Sequence, residues 1–478
     1  MTRPQRRTAL DVMTRVLGAF FPMPTWRPWL LCAAAIFGLT YGLSAEDQAF
    51  IAECLGRSPA DLPTRPADRV ALIVGRRGGK TRFVAFVAAF VACFRDYSGV
   101  LSPGERGVVV VCAPDRRQTR VFFRYVAALI EQTPILAGLI ERKTKEAIHL
   151  RNRISIEVHT ASFRTTRGYT VVAAIIDESA FLRTDDESAE PDSELVAALV
   201  PAMATVPGGL LMLISSPYAR RGELWKAFAE HYGKPDAPVL VWRAATRTMN
   251  PSVPQSVIDR AYAEDEAHAA AEYGAEFRRD VETFISKEAI AAVRRVGRRE
   301  LRREAEVRYS AFVDPAGGSG TDSFTLAIAH RTTGRAVLDV IREQRPPFSP
   351  EDTVREFARV LRSYGIAEVT GDAYAGDWPR ERFRAHGIGY RVSEETKSEI
   401  YRRFLPLLNA AEIELLDHDI LLRQLERLER RKTRGGREVI DHPPSGRDDV
   451  ANAAAGALVS AVAPLQVPFG FVRIERFL

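Results

Sequence analysis

The sequence predicts an α/β protein built as two lobes, and three features predict it. In the first half, four short apolar runs (70–74, 107–113, 171–177 and 210–214) alternate with helical patterns. The first of these runs breaks into a glycine- and arginine-rich loop that leads straight into a helical pattern. In the second half, single aspartates stand at the ends of strand-like runs and at the start of a late helix.

Length and composition set the bounds. A chain of 478 residues is enough for two or three domains with ample cores. Its 46% hydrophobic and 27% charged residues are those of a globular protein and exclude a disordered or fibrous chain. The net charge of +6 fits contact with a polyanion without requiring it. Cys32, Cys54, Cys93 and Cys112 form no C-x-x-C pair, so they read as reduced thiols and not as a disulfide framework or zinc site. Residues 29–43 resemble a membrane segment. The stretch is short, contains Gly38, Thr40 and Gly42, and runs into acidic sequence, so it reads as a buried helix in a cytoplasmic protein. Residues 1–28, basic at the start and irregular, read as a flexible arm.

The loop after the first run is RVALIVGRRGGKT. Gly75, Gly78 and Gly79 let backbone N–H groups close around phosphate oxygens, and the helix N-terminus adds partial positive charge. Lys80 then reaches the β/γ-phosphates and Thr81 can ligate Mg²⁺. The spacing departs from G-x-x-x-x-G-K-[ST], because Val74 stands where the first glycine belongs. Taken alone this reads equally as a glycine-rich turn. A second acidic motif raises it above that: the run 171–177 ends in Asp177-Glu178, an acid to hold nucleotide-bound Mg²⁺ followed by one to orient and deprotonate water. The plainer reading of that pair is a helix cap. Ser215-Ser216-Pro217 ends the fourth run, where small hydroxyls can sense a γ-phosphate, although such a turn is also common chemistry for leaving a strand.

From about Arg247 the strand pattern gives way to turns and alanine-rich helices, a linker. Arginines crowd 294–308, with Arg294, Arg298 and Arg302 spaced four apart, as are Arg295, Arg299 and Arg303. On a helix both rows share one side. That stripe reads equally as a phosphate-tracking face or as a solvated one offset by Glu300 and Glu304.

In the second half a strand delivers Asp314, followed by a glycine turn. Antiparallel strands at 323–330 and 336–341 come next, then a helix over 350–364. A strand at 367–371 carries Asp372 at its tip, and three further helical segments follow, one of them with Asp448 and Asp449 in its first turn. Each aspartate alone reads as a cap or turn former, Asp377 among them. Together they form the pattern of a ribonuclease H-like nuclease, in which paired Mg²⁺ or Mn²⁺ ions about 4 Å apart sit between carboxylates. The basic loop 429–437 reads as a guide for DNA or as a solvent-facing turn.

GRRGGKT, RGYTVVAAIIDESAFL and LLMLISSPYARRGELW, in that order, resemble the ATPase half of the large terminase subunit of tailed bacteriophages, and WRPWLLCAAAIFGLTYGL resembles the segment before that motor. The shifted glycine and the arginine in the loop are usual in that family. The resemblance implies a P-loop NTPase domain with a doubly wound sheet (1–246), a linker or lid (247–305) and a ribonuclease H-like nuclease domain (306–478). It implies ATP and Mg²⁺ (Mn²⁺ at the nuclease) as cofactors. Gly75, Gly78, Gly79, Lys80 and Thr81 would bind ATP, with Arg76 or Arg77 on phosphate. Asp177 would hold Mg²⁺, Glu178 act as base and Ser215-Ser216-Pro217 as coupling motif. Arg167 is the arginine-finger candidate, against Arg116, Arg117, Arg120 and Arg164. Asp314, Asp372 and Asp448 or Asp449 would ligate the nuclease metals, with Asp448 favoured, and Asp322 matches the family's turn acid. The family's His-Asp-Asp is Arg447-Asp448-Asp449 here. Implied partners are double-stranded DNA, a portal and procapsid, a small terminase subunit and further copies in a ring, a pentamer by resemblance, in the host bacterial cytoplasm and with no membrane. The rivals are a cellular helicase or repair ATPase fused to a nuclease, which would need helicase motifs after 217, and a degenerate docking scaffold, which would lack an expected lysine or carboxylate.

Overall fold

The contacts within the chain divide it into two compact units, Met1–Glu282 and Thr283–Leu478. The structure, a computed structural model, describes residues 7–160, 168–182, 191–278, 280–320, 322–372, 378–432, 438–443 and 446–462. Arg164, Arg167, Asp377, most of the 429–437 loop and the tail beyond 462 lie outside the described residues.

The first unit opens with a correction. Residues 7–28 are packed, and the flexible arm expected there is absent. The short helix α1 (Ala9–Asp11), capped by Thr8, runs into two further helical turns. Ala9, Val12, Met13, Leu17 and Phe21 are no more than 1% exposed, because these apolar residues recur at near-helical spacing between the polar ones. Helix α2 (Arg27–Ile36) is buried along most of its length and α3 (Ala45–Leu55) is capped by Ser44. Among the described residues no helix is long and apolar enough to cross a membrane.

Strand β1 (Arg69–Val74) and helix α4 (Lys80–Phe94) flank the glycine loop. Then follow β2 (Gly107–Ala113), α5 (Arg116–Glu131), α6 (Pro134–Ala137), β3 (Ile140–Lys143), β4 (Ala147–Leu150) and β5 (Ile154–Thr160). The chain continues through β6 (Thr170–Asp177), α7 (Pro191–Met203), β7 (Leu210–Ser215), α8 (Gly222–His231) and β8 (Leu240–Ala244). The sheet order is β3-β4-β5-β2-β6-β7-β1-β8. From β5 to β8 every neighbouring pair is parallel, and β3-β4-β5 is an antiparallel edge. Strands covered on both faces must be apolar throughout, which is why β2, β6 and β7 are continuous hydrophobic runs. Their C-terminal ends carry the ligand-binding edge of such a sheet. Beyond it lie α9 (Thr246–Met249), α10 (Gln255–Glu264) and α11 (Glu266–Glu272), and β9 (Val281–Thr283) carries the chain onward.

In the second unit, α12 (Lys287–Val293) stops where the arginine cluster begins. Arg294 and Arg295 form the short strand β10 beside β16 (Ile413–Leu416). The helix that would have aligned the arginines into a stripe is therefore absent. Arg294 pairs with Asp417, and Arg295, Arg298 and Arg335 converge on Glu414. Their hydrogen bonds, Arg295 first, hold the Glu414 carboxyl down at about 2.

The remaining strands are β11 (Tyr309–Asp314), β12 (Phe324–Thr332), β13 (Arg335–Gln344), β14 (Glu368–Gly371) and β15 (Gly389–Val392), in the order β10-β16-β13-β12-β11-β14-β15. Strands β11 to β13 pair antiparallel while β14 and β15 lie parallel to β11, the mixed arrangement expected of a ribonuclease H-like sheet. Helix α13 (Pro350–Ser363), capped by Ser349, precedes β14. Among the described residues four helices follow, one more than the sequence suggests: α14 (Trp378–Ala385), α15 (Lys397–Asn409), α16 (Asp419–Arg427) and α17 (Asp449–Val462). Strands β17 (Glu429–Lys432) and β18 (Glu438–Asp441) form a hairpin before α17. Helix α17 packs its alanine-rich side on the sheet. A Cβ at Gly456 would lie 2.4 Å from the Phe312 ring, so only glycine permits this close approach.

Candidate active sites

In the first unit the loop between β1 and α4 is held from several directions. The Trp29 indole N–H donates to the Gly78 carbonyl at 2.7 Å. Thr246 Oγ1 donates to the Arg76 carbonyl and Asn250 Nδ2 to that of Arg77, each at 2.8 Å. Arg76 forms an ion pair with Glu272 at 3.1 Å. A Cβ at Gly75 would meet Thr246 Oγ1 at 2.3 Å, so the loop and α9 fit only because position 75 lacks a side chain. Arg77 has a left-handed backbone (φ 65), a conformation disfavoured for any L-residue with a Cβ.

Lys80 is 5% exposed. Its ammonium donates to the Val74 carbonyl at 3.1 Å and lies 3.8 Å from Glu178 Oε1. The parallel register of β6 with β7 and of β7 with β1 brings Asp177, Ser215 and the loop to one edge. Ser215 Oγ donates to Glu178 Oε2 at 3.0 Å. Glu178 also has a left-handed backbone (φ 48) and its N–H folds back onto Asp177 Oδ1 at 3.0 Å. Local strain of this kind, on the order of 1–3 kcal/mol, persists where surrounding contacts over-determine it and concentrates at functional sites. Burial, then the charge of Glu178, pushes the Asp177 carboxyl up to about 7, against the pull of Lys80. Two acids beside one buried lysine suit a site completed by a cation and phosphate.

In the second unit, Asp314 ends β11, Asp372 follows β14, and Asp448 and Asp449 open α17. Asp314 is raised well above the usual carboxylate range by burial and then by Asp449, with Asp448 and Asp372 adding to it. Burial also lifts Asp449 to about 7, helped by Asp448 and Asp322 and opposed by the Ser323 N–H, which donates to it at 2.8 Å. Asn452 donates to Asp314 Oδ2 at 2.9 Å, and its own buried Oδ1 has no hydrogen-bond partner. Asp448 is differently engaged. It accepts the Tyr401 hydroxyl at 2.9 Å and pairs with Lys397 at 3.1 Å. Lys397 also binds Asp441 at 2.6 Å. Burial opposes its charge, yet Asp448 and Asp441 hold it above the ordinary lysine value. Asp441, His442 and Asp448 bring potential ligand atoms within 4.8 Å of one another, and Lys397 already serves two of the three. His442 Nε2 lies 3.8 Å from Asp448 Oδ1.

Crowded, hard, anionic oxygens fit Mg²⁺ or Mn²⁺ better than softer metals. The chain is similar to several solved structures. The similar folds are phage large terminases. The HK97 bacteriophage large terminase is 15% identical over 88% of this chain and 95% of its own, with a TM-score of 0.37. The ATPase domain of the Thermus phage P74-26 large terminase is 20% identical, covering 49% of this chain and 98% of that one, with a TM-score of 0.36. The large terminase nuclease from thermophilic phage G20c, solved with bound magnesium, is 17% identical over 37% of this chain and 96% of that one, with a TM-score of 0.33. No family model and no curated protein matches the chain.

Of the residues singled out in the sequence, the structure brings Lys80, Asp177, Glu178 and Ser215 together in one unit, and Asp314, Asp372, Asp448 and Asp449 in the other. Ser216 and Pro217 follow at the buried end of β7, while the Arg76 and Arg77 side chains are exposed. Sequence reasoning missed Trp29, Thr246, Asn250, Lys397, Tyr401 and His442. Asn452 carried a usable signal, since it stands one helical turn beyond Asp448 and Asp449 and so shares their face.

Proposed function

We propose that the chain is a DNA-packaging motor and nuclease: its first unit hydrolyses ATP to drive double-stranded DNA into a procapsid, and its second cuts concatemeric DNA. The observation that carries this reading is that each unit gathers its own acidic centre at a sheet edge, one against a glycine loop and lysine, the other as a cluster of buried aspartates.

In the first centre Lys80 and the loop N–H groups would take the phosphates, with Arg76 or Arg77 swinging onto them and Thr81 and Asp177 holding Mg²⁺. Glu178, oriented by Ser215, accepts the proton of the attacking water. Ser215-Ser216-Pro217 then relays loss of the γ-phosphate to the chain beyond, and Arg167 is the finger offered to a neighbouring copy. In the second centre Asp314, Asp372 and Asp449 would ligate the metals, with Asp448 beside them bound to Lys397 and Tyr401. Bound divalent ions there supply an activated water and stabilise the leaving 3′-oxygen. Asn452 and the Ser323 N–H fix the carboxylates that receive them. ATP and Mg²⁺ are the cofactors, with Mn²⁺ accepted at the nuclease. A portal, a small terminase subunit and a ring of copies are the partners, in the host cytoplasm and transiently on the procapsid. The functional division is 1–246 motor, 247–305 linker or lid, and 306–478 nuclease.

The test is metal-dependent plasmid nicking run beside an ATPase assay. Asp314→Ala abolishes nicking and keeps ATP hydrolysis, and Lys80→Ala does the reverse. Loss of both activities in either variant overturns the two-centre assignment.

A further inference from the structure

Helix α5, capped by Asp115, carries an arginine face for which the described residues provide no ion pair. Its sequence, RRQTRVFFRYVAALIE, contains four arginines and a single acid, Glu131, at the last position. Glu131 is taken by Lys143 at 2.5 Å. The buried side of the helix is Thr119, Phe122, Phe123, Val126, Leu129 and Ile130. Arg116, Arg117, Arg120 and Arg124 are all exposed on the other side. Among the described residues none of the four forms an ion pair or a side-chain hydrogen bond.

This contrasts with the basic run at 294–298, where Arg294, Arg295 and Arg298 all have carboxylate partners within the fold. The contrast separates arginines that the fold uses from arginines that it leaves available. Position sharpens the point. Arg116 and Arg117 occupy the first turn, where the helix dipole disfavours cations, beside the N-cap Asp115, whose carboxylate accepts from the Arg117 and Gln118 N–H groups. Arg116, Arg120 and Arg124 advance four residues at a time, so they drift only slowly around the helix and span about 12 Å of its length. That is a row of guanidinium groups suited to bidentate contacts with successive phosphates.

We infer that the exposed face of α5 is a contact surface for the phosphate backbone of double-stranded DNA. The inference rests on the proposed DNA-directed function and adds to it a place on the motor unit where the duplex is held without regard to sequence. Backbone contacts of this kind position the duplex and carry no base information.

The experiment measures binding of a fluorescent mixed-sequence duplex to the full chain by anisotropy across a series of KCl concentrations. It compares wild type with Arg120→Gln/Arg124→Gln, with all four arginines changed to Gln, and with all four changed to Lys. Each lost phosphate contact flattens the log K against log[salt] slope by about 0.9. The double variant therefore loses up to about 1.8 and the fourfold Gln variant up to about 3.6, equally for duplexes of different sequence. The Lys variant keeps most of the slope. Melting curves identify any variant that fails to fold, and the double variant then carries the test. An unchanged slope in the folded Gln variants overturns the inference while leaving the DNA-directed function standing. Wild-type protein that binds no duplex at low salt overturns both. An unchanged slope with lost self-association by light scattering also overturns the inference and assigns the face to a second copy of the chain.

Discussion

Ser215→Ala isolates one hydrogen bond at the proposed ATPase centre. Ser215 is fully buried and donates to Glu178 Oε2 at 3.0 Å. Its removal leaves almost no cavity, and Lys80 and the glycine loop remain as they are. A hydrogen bond to an ionised partner contributes about 1.5–3 kcal/mol. The Glu178 side chain is 26% exposed, so water replaces part of the bond and the lower end applies. At about 1.4 kcal/mol per factor of ten, kcat for ATP hydrolysis falls roughly ten- to thirtyfold. Because the hydroxyl reaches the base and not the phosphate cradle, the affinity for ATP changes less than about threefold. Steady-state phosphate release gives kcat, and a fluorescent nucleotide titration gives Kd. A raised Kd with kcat intact refutes the argument that this hydroxyl holds Glu178.

Three other outcomes follow from the same geometry. Trp29→Phe keeps the ring that stacks on Phe83 but leaves the Gly78 carbonyl without its indole donor. The cost is about 1–3 kcal/mol, read as lower thermal stability together with weaker ATP binding, and ATP affinity equal to wild type contradicts it. Asp449→Asn raises the metal concentration needed for nicking far more than Asp448→Asn does, since Asp448 is engaged by Lys397 and Tyr401; a metal titration of both variants that reverses the order refutes the ligand assignment. Burial lifts the Asp339 carboxyl from 3.8 to about 6, opposed by the His330 hydrogen bond. A raised carboxyl stays protonated in the folded chain while the unfolded chain ionises, so its stabilising share is complete below pH 3.8 and lost as pH rises through about 6. Urea unfolding of wild type and Asp339→Asn shows a stability difference that declines over that window, no steeper than about 1.4 kcal/mol per pH unit.

What was legible in the sequence followed from local physics. Strands β2, β6 and β7 announce themselves because a parallel strand covered on both faces has no polar position to offer. Asp177, Asp314 and Asp372 could be read because each ends or follows a strand. The supports were hidden, since contact and sequence distance are unrelated there. Trp29 meets Gly78 across 49 residues, Thr246 meets Arg76 across 170, and Lys397 meets Asp448 across 51. The arginine periodicity at 294–303 misled because it presupposed a helix, and pairing of Arg294 and Arg295 with β16 ends that helix first. Residues 7–28 read as a loose arm because of their irregular, proline-containing sequence after a basic start, while Val12, Met13, Leu17 and Phe21 are core. β8, with Trp242 and Arg243 inside a short run, was too weakly patterned to be anticipated.

The meeting of Gly456 with Phe312 sets how near α17 can settle on β11, and the spacing of the acids in the proposed nuclease centre inherits that clearance. A methyl group added two turns away would lift the helix as a wedge lifts a lid and would draw Asp449 back from Asp314 without touching either. If the second unit cuts DNA as proposed, cutting is adjustable from inside the hydrophobic packing, and variation that weakens it while sparing the first unit is to be sought there as well as among the aspartates.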